Sequence, residues 1–424
     1  MDARCGTRGL RAAAGGRDSV NAPRLLCVSF YFPPLAGPRA VQVSRLLCAA
    51  DARVTVVAGR TADEGVDPTI APDVENRLGA VIRIPFTRGR ALRRLDYLAR
   101  RAGLAWGNAP DDKRGWARRA CAFITEHTDA APDALVTFGQ PMSCHLFGLE
   151  FRKRTSAPWV AHFSDPWADS PYRAATRAAA RANANLEAQV ARAADALVFT
   201  SPETVDLVMR KYSPDIRGKA RVLPHCYDRA LFESLEPDRA PRPGEYVIRS
   251  IGSFYGVRSP EPFYAALETV ARNAPDLLQG VRVEFYGYTE ARLKGLIENY
   301  PAARRVISFK GSVPYMESLR FSLGADCLLA VDAPSGVSVF FPSKLVDFMG
   351  SGRHIFALTP EGATRRIASA AGATVAPVDD PAAAAAALAQ LLKRKPAGLD
   401  GDCSEYESRA VARQFMDIIR ETLK

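Results

Sequence analysis

Short apolar segments alternate with stretches long enough for a helix along most of the chain. From Leu25 onward these segments are rich in valine, leucine, isoleucine and phenylalanine, with few polar residues inside them. Strands that are apolar on both faces are typical of parallel sheets covered by helices on each side. The pattern therefore predicts an α/β fold built on parallel sheets.

A polar break divides this pattern into two halves. Residues 233–245 contain three prolines and six charged residues, and the alternation starts again at Tyr246. Two Rossmann-like domains are therefore expected. The predicted divisions are a disordered basic head over 1–22, a first domain over 23–235, a linker over 236–245, a second domain over 246–404 and a terminal helix over 405–424.

The periodicity also predicts the individual elements of both domains. Predicted strands in the first domain are 25–32, 53–58, 81–85, 134–138, 159–163, 196–200 and 221–223, with helices near 39–50, 90–103, 113–128, 141–154, 173–194 and 202–212. Predicted strands in the second are 246–251, 281–286, 306–309, 327–331, 354–358 and 373–377, with helices near 260–273, 289–299, 315–323, 343–350, 362–370, 381–394 and 405–423.

Hydropathy and cysteine content argue against a membrane-spanning or exported, disulfide-bonded protein. No run of eighteen apolar residues occurs, and residues 1–22 carry arginines without an apolar signal core. The eight cysteines are scattered without a C-x-x-C pair, which favours reduced thiols. We expect a cytoplasmic protein that is not exported.

The net charge of +11 is concentrated in one segment. Residues 88–119 hold ten basic residues against three acidic ones, and a helix over 90–103 would place leucines on one face and arginines on the other. Two interpretations remain open: a solvated face over a core stripe, or docking onto anionic lipid headgroups or an anionic acceptor. Nucleic acid is disfavoured, because no known binding module accompanies the charge. The basic residues of this helix are Arg90, Arg93, Arg94, Arg100 and Arg101.

The stretch from Phe340 to Leu358 combines a loop, a helix start and an apolar strand. Pro342 suits the first helical position, and Lys344 would lie in the first turn, where free backbone N–H groups and the helix dipole favour an anion. We expect a phosphate there and sugar hydroxyls at Asp347, one turn beyond Ser343. The alternative is an ordinary helix, turn and strand.

Two strand-to-helix loops have the glycines and charges of a ligand site. Gly37 follows the first strand, and a plain tight turn is the alternative there. In the second domain, Gly252 and Ser253 are followed by Arg258, which lies just before a helix start and suits a diphosphate unless it is only a surface arginine. No G-x-G-x-x-G follows any predicted strand, which disfavours nicotinamide and flavin cofactors.

Several motifs occur in a recognisable order. In the second half these are Gly252-Ser-Phe-Tyr-Gly-Val-Arg, Phe309-Lys-Gly-Ser-Val-Pro, Ala325-Asp-Cys-Leu-Leu and Pro342-Ser-Lys-Leu-Val-Asp. In that order and spacing they resemble the donor half of family 4 glycosyltransferases, GT-B enzymes that use nucleotide-sugar donors. Weaker motifs in the first half include Tyr31-Phe-Pro-Pro with Gly37, His162-Phe-Ser-Asp-Pro-Trp and Leu223-Pro-His-Cys-Tyr-Asp.

The resemblance implies two domains facing each other across a cleft, with a terminal helix that either crosses back to the first domain or packs on its own. It implies that Gly252, Ser253 and Arg258 face the donor diphosphate, supported by Ser343 and Lys344. Further implied contacts are the base at Gly311, Ser312 and Val313, the ribose at Asp347, the phosphate or acceptor at Gly37, and the transferred sugar at His162 and Asp165. The last two would orient or deprotonate the acceptor, or only cap the strand end.

The chain departs from the family pattern at several positions. Family members often have two glutamates eight positions apart, whereas this chain has Val339 and the shorter Asp347. Ser253 and Phe254 stand where a basic residue is common, and His225 with Cys226 replaces the usual Asn-Gly. These differences bear on sugar contacts and on turn geometry.

The resulting hypothesis is a cytoplasmic glycosyltransferase, retaining and with no obligatory metal, that is peripheral on the membrane if the basic helix binds lipid. It would move a sugar from a nucleotide diphosphate sugar to a glycan or lipid-linked acceptor in surface polysaccharide or glycolipid synthesis. The Asp-x-Asp at Asp400 lies in a predicted loop and not at a strand end, where a metal-diphosphate site is expected. Two alternatives remain: a sugar-nucleotide epimerase on the same architecture, and a catalytically degenerate binding or assembly protein.

Overall fold

The structure, a computed structural model, describes residues 22–61, 65–71, 73–86, 109–128, 131–171, 176–240 and 242–424. The chain forms two compact units. The described residues of the first unit lie within 22–199, Val208–Leu223 and Ala412–Lys424, and those of the second lie within Thr200–Leu207 and 224–411. Residues 1–21 of the predicted basic head and the whole predicted helix over 90–103 lie outside the described residues.

The first unit is built on a parallel sheet, which has seven strands among the described residues. Their order is β3-β2-β1-β4-β5-β6-β7. The strands are β1 (Arg24–Val28), β2 (Arg53–Arg60), β3 (Ala80–Pro85), β4 (Ala134–Phe138), β5 (Trp159–Phe163), β6 (Ala196–Phe199) and β7 (Ala220–Val222). Every residue of β4, β5 and β6 is buried, as expected for strands covered on both faces.

The second unit repeats this plan with a six-stranded parallel sheet among its described residues. Its order is β10-β9-β8-β11-β12-β13. The strands are β8 (Tyr246–Ile251), β9 (Val281–Tyr286), β10 (Ile307–Gly311), β11 (Cys327–Val331), β12 (His354–Leu358) and β13 (Thr374–Ala376). The predicted α/β fold with two parallel sheets is therefore confirmed.

Helices connect the strands in both units. Those between strands of the first sheet are Pro38–Ala49, Val74–Arg77, Arg114–His127, Ser143–Phe151, Arg177–Ala193, Pro202–Met209 and Pro214–Arg217. Those that follow are Arg229–Glu233, Glu261–Asn273, Ala291–Gly295, Pro301–Val306, Tyr315–Leu323, Ser343–Gly350, Ala363–Ala370, Pro381–Arg394 and Ser408–Thr422, with 3₁₀ turns at Pro275–Leu278, Leu296–Asn299 and Ser404–Tyr406. Within the described ranges, every helix is too short or too polar to span a lipid bilayer.

Large apolar side chains fill the space between sheet and helices in the second unit. Phe263, Leu329 and Phe356 are completely buried in one cluster with Ile248. Burying a side chain of this size contributes about 1.5–3 kcal/mol before entropy is subtracted. This packing holds the carboxyl ends of the strands in place, and the candidate site is at those ends.

Each sheet reverses its strand order once. The reversal lies between β1 and β4 in the first sheet and between β8 and β11 in the second. In open parallel sheets, ligands bind at the carboxyl ends of the strands where the order reverses. The fold therefore favours a ligand site at the loops after β1, β4, β8 and β11.

Several predicted bounds differ from those of the structure by a few residues, and the predicted position of Pro342 as the first helical residue was wrong. The first strand ends at Val28 instead of residue 32, although Phe30 and Phe32 remain buried in the loop that follows. Pro342 caps the helix Ser343–Gly350 instead of being its first residue, because its ψ of 127° is extended. Burial and the fixed φ of proline explain both errors, since neither feature alone specifies a strand or a helix.

Candidate active site

A helix start after β11 forms the centre of the candidate site in the second unit. The helix Ser343–Gly350 begins directly after the extended Pro342, so the first backbone N–H groups have no partner within the helix. Lys344 is the second residue of this helix and is partly buried. The helix dipole and the ammonium group therefore favour an anion at the same place.

Gly252 lies against the side chain of Lys344. The φ of Gly252 is +145°, and a Cβ atom built on it would lie 3.4 Å from both Cδ and Nζ of Lys344. Its N–H donates to the carbonyl oxygen of Tyr286 at 2.8 Å, which ties the loop after β8 to the end of β9. A side chain at position 252 would enter the space next to the ammonium group.

Arg258 and Asp332 complete the same cavity. Arg258 is on the loop after β8, and its Nη2 lies 3.7 Å from Oδ1 of Asp332, the residue that follows β11. The Nε–H of Arg258 is shielded from solvent and has no hydrogen-bond partner among the described residues. The guanidinium group thus keeps a donor for a ligand.

Asp332 is almost fully buried, and hydroxyl groups satisfy its carboxylate. Its Oδ2 accepts from the hydroxyl of Ser338 at 2.9 Å and from that of Thr364 at 3.1 Å. Its Oδ1 accepts from the N–H of Ala333 at 2.9 Å. These bonds fix the carboxylate and allow one buried negative charge to face two basic groups.

Burial weakens the charge of Lys344. Desolvation is the main cause that lowers the pKa of Lys344 to about 7, and the positive charge of Arg258 lowers it further, against an opposing effect of Asp332. An incoming anion stabilises the protonated form and reverses this shift. The site is thus prepared for a negatively charged group.

A small cavity lies between these groups. Two of its residues are basic and one is acidic, so its net charge is positive when Lys344 is protonated. It can bind an anion through charge-assisted hydrogen bonds from side chains and through the helix start. Its lining residues are Arg258, Ala330, Val331, Asp332, Pro342, Lys344, Leu345 and Thr364.

The predicted base- and ribose-contacting residues of the second unit are not among the residues that line this cavity. Gly311, at the end of β10, has a φ of +78° and accepts from the N–H of Gly287 at 2.7 Å. Ser312 is exposed and Val313 is half-buried directly after it. Oδ1 of Asp347 accepts from the hydroxyl of Tyr315 at 3.2 Å, one turn along the helix from Ser343.

In the first unit, the structure brings the loop of Gly37 and the end of β5 to a common cluster. Gly37, with a φ of +148°, precedes the helix Pro38–Ala49, and the second residue of that helix is Arg39. Nη2 of Arg39 lies 3.1 Å from Nδ1 of His162, which is 4% exposed. This pairing spans 123 residues of sequence.

Asp165 and Gln140 extend the same cluster. The amide of Gln140 donates to Oδ2 of Asp165 through a short contact. Gln140 directly follows Gly139 after β4 and has a φ of +61°, uncommon for a residue with a side chain. Two predicted sugar-contacting residues, His162 and Asp165, thus lie together at the carboxyl end of β5, in contact with Arg39 and Gln140 respectively.

His145 is packed inside the first unit. It is fully buried, and its Nδ1 lies 2.8 Å from the hydroxyl of Thr137. Burial, with a smaller effect of Arg39, lowers the pKa of His145 to about 3. The ring is therefore neutral at physiological pH.

Sequence reasoning missed Arg39 and Asp332. Each had a local signal: Arg39 opens a helix at the first loop, and Asp332 is a charged residue placed directly after the apolar strand Cys327–Val331. The partners of both residues are distant in sequence. The five arginines of the predicted membrane or acceptor patch lie outside the described residues.

Two observations concern the binding of metal ions. The Asp-x-Asp at Asp400 is indeed in a loop, before the 3₁₀ turn Ser404–Tyr406. Within the described ranges no group of three histidine, cysteine, aspartate or glutamate side chains is arranged to hold a metal ion. The seven cysteines of those ranges are free thiols.

Solved structures share this fold over nearly the whole chain. A sucrose-phosphate synthase from Thermosynechococcus elongatus matches with a TM-score of 0.61 at 16% identity, covering 95% of each chain. HepE from Anabaena, in complex with UDP and glucose, matches with a TM-score of 0.62 at 12% identity, covering 94% of this chain and 100% of HepE. An E. coli trehalose-6-phosphate structure bound with UDP-2-fluoro glucose matches with a TM-score of 0.58 at 13% identity, covering 94% and 96%. The fold is that of the GT-B glycosyltransferases.

Much of the first half is similar in sequence to a known domain family. Residues 36–225 match the model of the glycosyl transferase 4-like domain. No curated protein matches the chain in sequence. This match, together with the shared GT-B fold, confirms the predicted class, a glycosyltransferase.

Proposed function

We propose that this glycosyltransferase binds a nucleotide diphosphate sugar on its second unit and transfers the sugar to a glycan or lipid-linked acceptor. The observation that carries the proposal is the convergence of Arg258 and Lys344 on one cavity beside a helix start. A diphosphate carries the charge and the acceptor oxygens that these donors require.

Charge balance supports a diphosphate over an uncharged ligand. Asp332 offsets one positive charge, but its carboxylate already accepts hydrogen bonds from Ala333, Ser338 and Thr364. The buried Nε–H of Arg258 then needs another acceptor, because a buried donor without a partner is costly. A diphosphate oxygen supplies that acceptor and restores the charge of Lys344.

Arg258 and Lys344 would also have a chemical role in sugar transfer. As the bond to the sugar breaks, negative charge grows on the leaving diphosphate, and fixed cations and N–H groups stabilise it most in that state. We propose that Arg258 and Lys344 provide this stabilisation without an obligatory metal. Transfer would retain the configuration at the anomeric carbon, with departure and attack on one face of the sugar.

The remaining assignments complete the proposal. Gly252, Ser253 and Ser343 would border the diphosphate, Gly311 to Val313 the base, and Asp347 the ribose. Gly37, His162 and Asp165 would belong to the acceptor and sugar side on the first domain. The UDP and UDP-glucose bound by HepE and the UDP-2-fluoro glucose of the E. coli structure make uridine nucleotides the first donors to test.

The proposed setting is surface polysaccharide or glycolipid synthesis in the cytoplasm. The arginines at 90, 93, 94, 100 and 101 would contact an anionic membrane or acceptor from the first domain, here taken as 23–235. The donor domain is taken as 246–404, joined by the linker 236–245 and followed by the terminal helix 405–424. Vesicle sedimentation with and without anionic lipid tests the membrane contact.

The experiment that tests the function begins with a thermal-shift screen of nucleoside diphosphates and their sugars, each without and with magnesium. A ligand that binds only the folded state raises the melting temperature. The nucleotide sugar that shifts it is then incubated with candidate acceptors, and release of the nucleoside diphosphate is measured.

Each outcome separates the proposal from its alternatives. Nucleoside diphosphate released only in the presence of an acceptor supports glycosyl transfer. Conversion of the nucleotide sugar without any acceptor would point to an epimerase instead. Binding without turnover across the acceptor set, or no binding at all, would favour a degenerate binding or assembly protein.

A further inference from the structure

Arg39 donates to the ring of His162 from a fixed position. Nη2 of Arg39 lies 3.1 Å from Nδ1 of His162 and 3.4 Å from the carbonyl oxygen of the same residue. The carbon of the guanidinium group lies 5.4 Å from the centre of the Phe138 ring. The position of Arg39 in the first turn of Pro38–Ala49 and this aromatic contact restrict its movement.

The imidazole is equally restricted. His162 lies within β5, between Phe138 of β4 and Val198 of β6, and its ring centre is 5.3 Å from that of Phe138. The carbonyl oxygen of His162 also accepts from the N–H of Gly139 at 2.7 Å. Backbone pairing on both sides thus sets where the ring points.

The chemistry of the pair determines which ring nitrogen carries the proton. A guanidinium group has only donors, so Nδ1 of His162 has to be the acceptor, and a neutral ring then carries its proton on Nε2. Burial lowers the pKa of Arg39 to about 10, against an opposing effect of Asp165, so Arg39 is charged at neutral pH. An imidazolium would place a second positive donor against it.

We propose that Arg39 is a positioning residue that holds His162 in its Nε2-protonated form. His162 then serves as a hydrogen-bond donor to an oxygen of the sugar or acceptor and does not act as a general base, because the lone pair of Nδ1 is engaged by Arg39. The catalytic part of this inference rests on the proposed glycosyl transfer. The assignment of the proton to Nε2 holds whatever reaction the protein catalyses.

The form of the ring can be observed without any ligand. The protein is labelled with ¹⁵N-histidine, and long-range ¹H–¹⁵N correlation spectra at pH 7 report which nitrogen of each ring is protonated. The chain has five histidines, and the variant H162Q identifies the signals of His162. We expect a protonated Nε2 and an unprotonated Nδ1 in the wild-type protein.

Two variants separate positioning from folding. Arg39→Met keeps an apolar stem but removes the donor, so we expect some or all of the His162 proton to move to Nδ1. In the transfer assay we expect kcat to fall about tenfold while the affinity for the donor changes less than about twofold. Arg39→Lys keeps a charged donor. We expect it to restore part of the Nε2 protonation of His162 and part of the lost kcat.

A protonated Nδ1 in the wild-type protein overturns the proposal, whether or not any variant folds. The wild-type tautomer and wild-type kcat in Arg39→Met would overturn it as well. If no transfer is found for any donor, the proposed function fails, but the tautomer measurement still decides the role of Arg39.

Discussion

The Nζ atom of Lys344 lies 3.4 Å from the position that a Cβ atom would take on Gly252. These residues are 92 positions apart in sequence and belong to different strand-to-helix connections of one sheet. Glycine at 252 allows the loop after β8 to adopt a positive φ and leaves room for the ammonium group. The proposed anion site thus depends on a residue that contributes no side chain.

Gly252→Ala is expected to destabilise the fold and weaken nucleotide binding. The φ of +145° is unfavourable for alanine, at a cost of about 1–3 kcal/mol, and the methyl group would occupy space in contact with the Lys344 side chain. Urea unfolding measures the loss of stability, and calorimetric titration with UDP-glucose measures the loss of affinity. Gly256→Ala is the control, since it also has a positive φ but nothing within 4 Å of the added carbon. Equal affinities of the two variants would contradict the role given to Gly252.

Donor affinity is expected to depend on pH through Lys344. The pKa of this lysine is lowered to about 7, so the fraction that is charged increases as the pH falls through 7. The diphosphate of a nucleotide sugar keeps its charge over this range, so binding tightens toward lower pH and takes up protons. Titrations in buffers of different ionisation enthalpy measure this uptake. An affinity that is constant between pH 6 and 9 would argue against it.

The lowered pKa also affects stability without any ligand. Between about 7 and the ordinary lysine value of 10.5, the unfolded chain binds more protons than the folded one. The contribution of Lys344 to the free energy of unfolding therefore increases with pH across this window. Comparison of wild type and Lys344→Met by urea unfolding at several pH values isolates that slope. Identical slopes would show that Lys344 has an ordinary pKa.

Arg249→Met is expected to lower the free energy of unfolding by about 3–5 kcal/mol, because it leaves two carboxylates without their buried partner. Arg249 is 3% exposed and donates to Asp238 at 2.6 and 2.9 Å and to Glu284 at 2.8 Å. Arg304→Met breaks an exposed pair with Glu298 and is the control, with a change of about 0.5 kcal/mol or less. If denaturant unfolding gives the same loss of unfolding free energy for both variants, the role assigned to Arg249 is contradicted.

Asp347→Asn tests the ribose assignment separately from the diphosphate. An amide keeps the shape but replaces one acceptor oxygen by a donor NH₂ group and removes the negative charge, so we expect UDP affinity to fall about tenfold. Inorganic pyrophosphate lacks the ribose, and its affinity is expected to change less than about twofold. Titration of both ligands into both proteins makes the comparison. A matching loss for pyrophosphate would assign Asp347 to the phosphates or to folding.

The strands were predictable because most of them are continuous apolar runs. Tyr246–Ile251, Cys327–Val331 and His354–Leu358 are strands with the bounds that the sequence predicted. Strand ends are less certain where buried residues continue into a loop, as Phe30 and Phe32 do after β1. Burial follows from composition, but backbone pairing requires a neighbouring strand.

The candidate site was predictable only where its signal is local. The helix start at Ser343 and the position of Lys344 in the first turn follow from neighbouring residues. The contact of Arg39 with His162 joins residues 123 positions apart, and that of Thr364 with Asp332 joins residues 32 apart. No periodicity or local motif encodes such pairs, because they exist only once the strands have been ordered in the sheet.

The central claim, that Arg258 and Lys344 form the donor site, is tested most directly by calorimetric titration of metal-free protein with UDP-glucose and with the corresponding sugars of other bases. We predict binding of one base class to the wild-type protein and an affinity lower by at least about tenfold in Arg258→Met, as expected for the loss of a charged hydrogen bond. Arg292→Met is the control, because that exposed arginine contacts the carbonyl of Gly256 outside the cavity. Unchanged affinity in Arg258→Met, or no binding of any nucleotide sugar to the wild-type protein, would contradict the account.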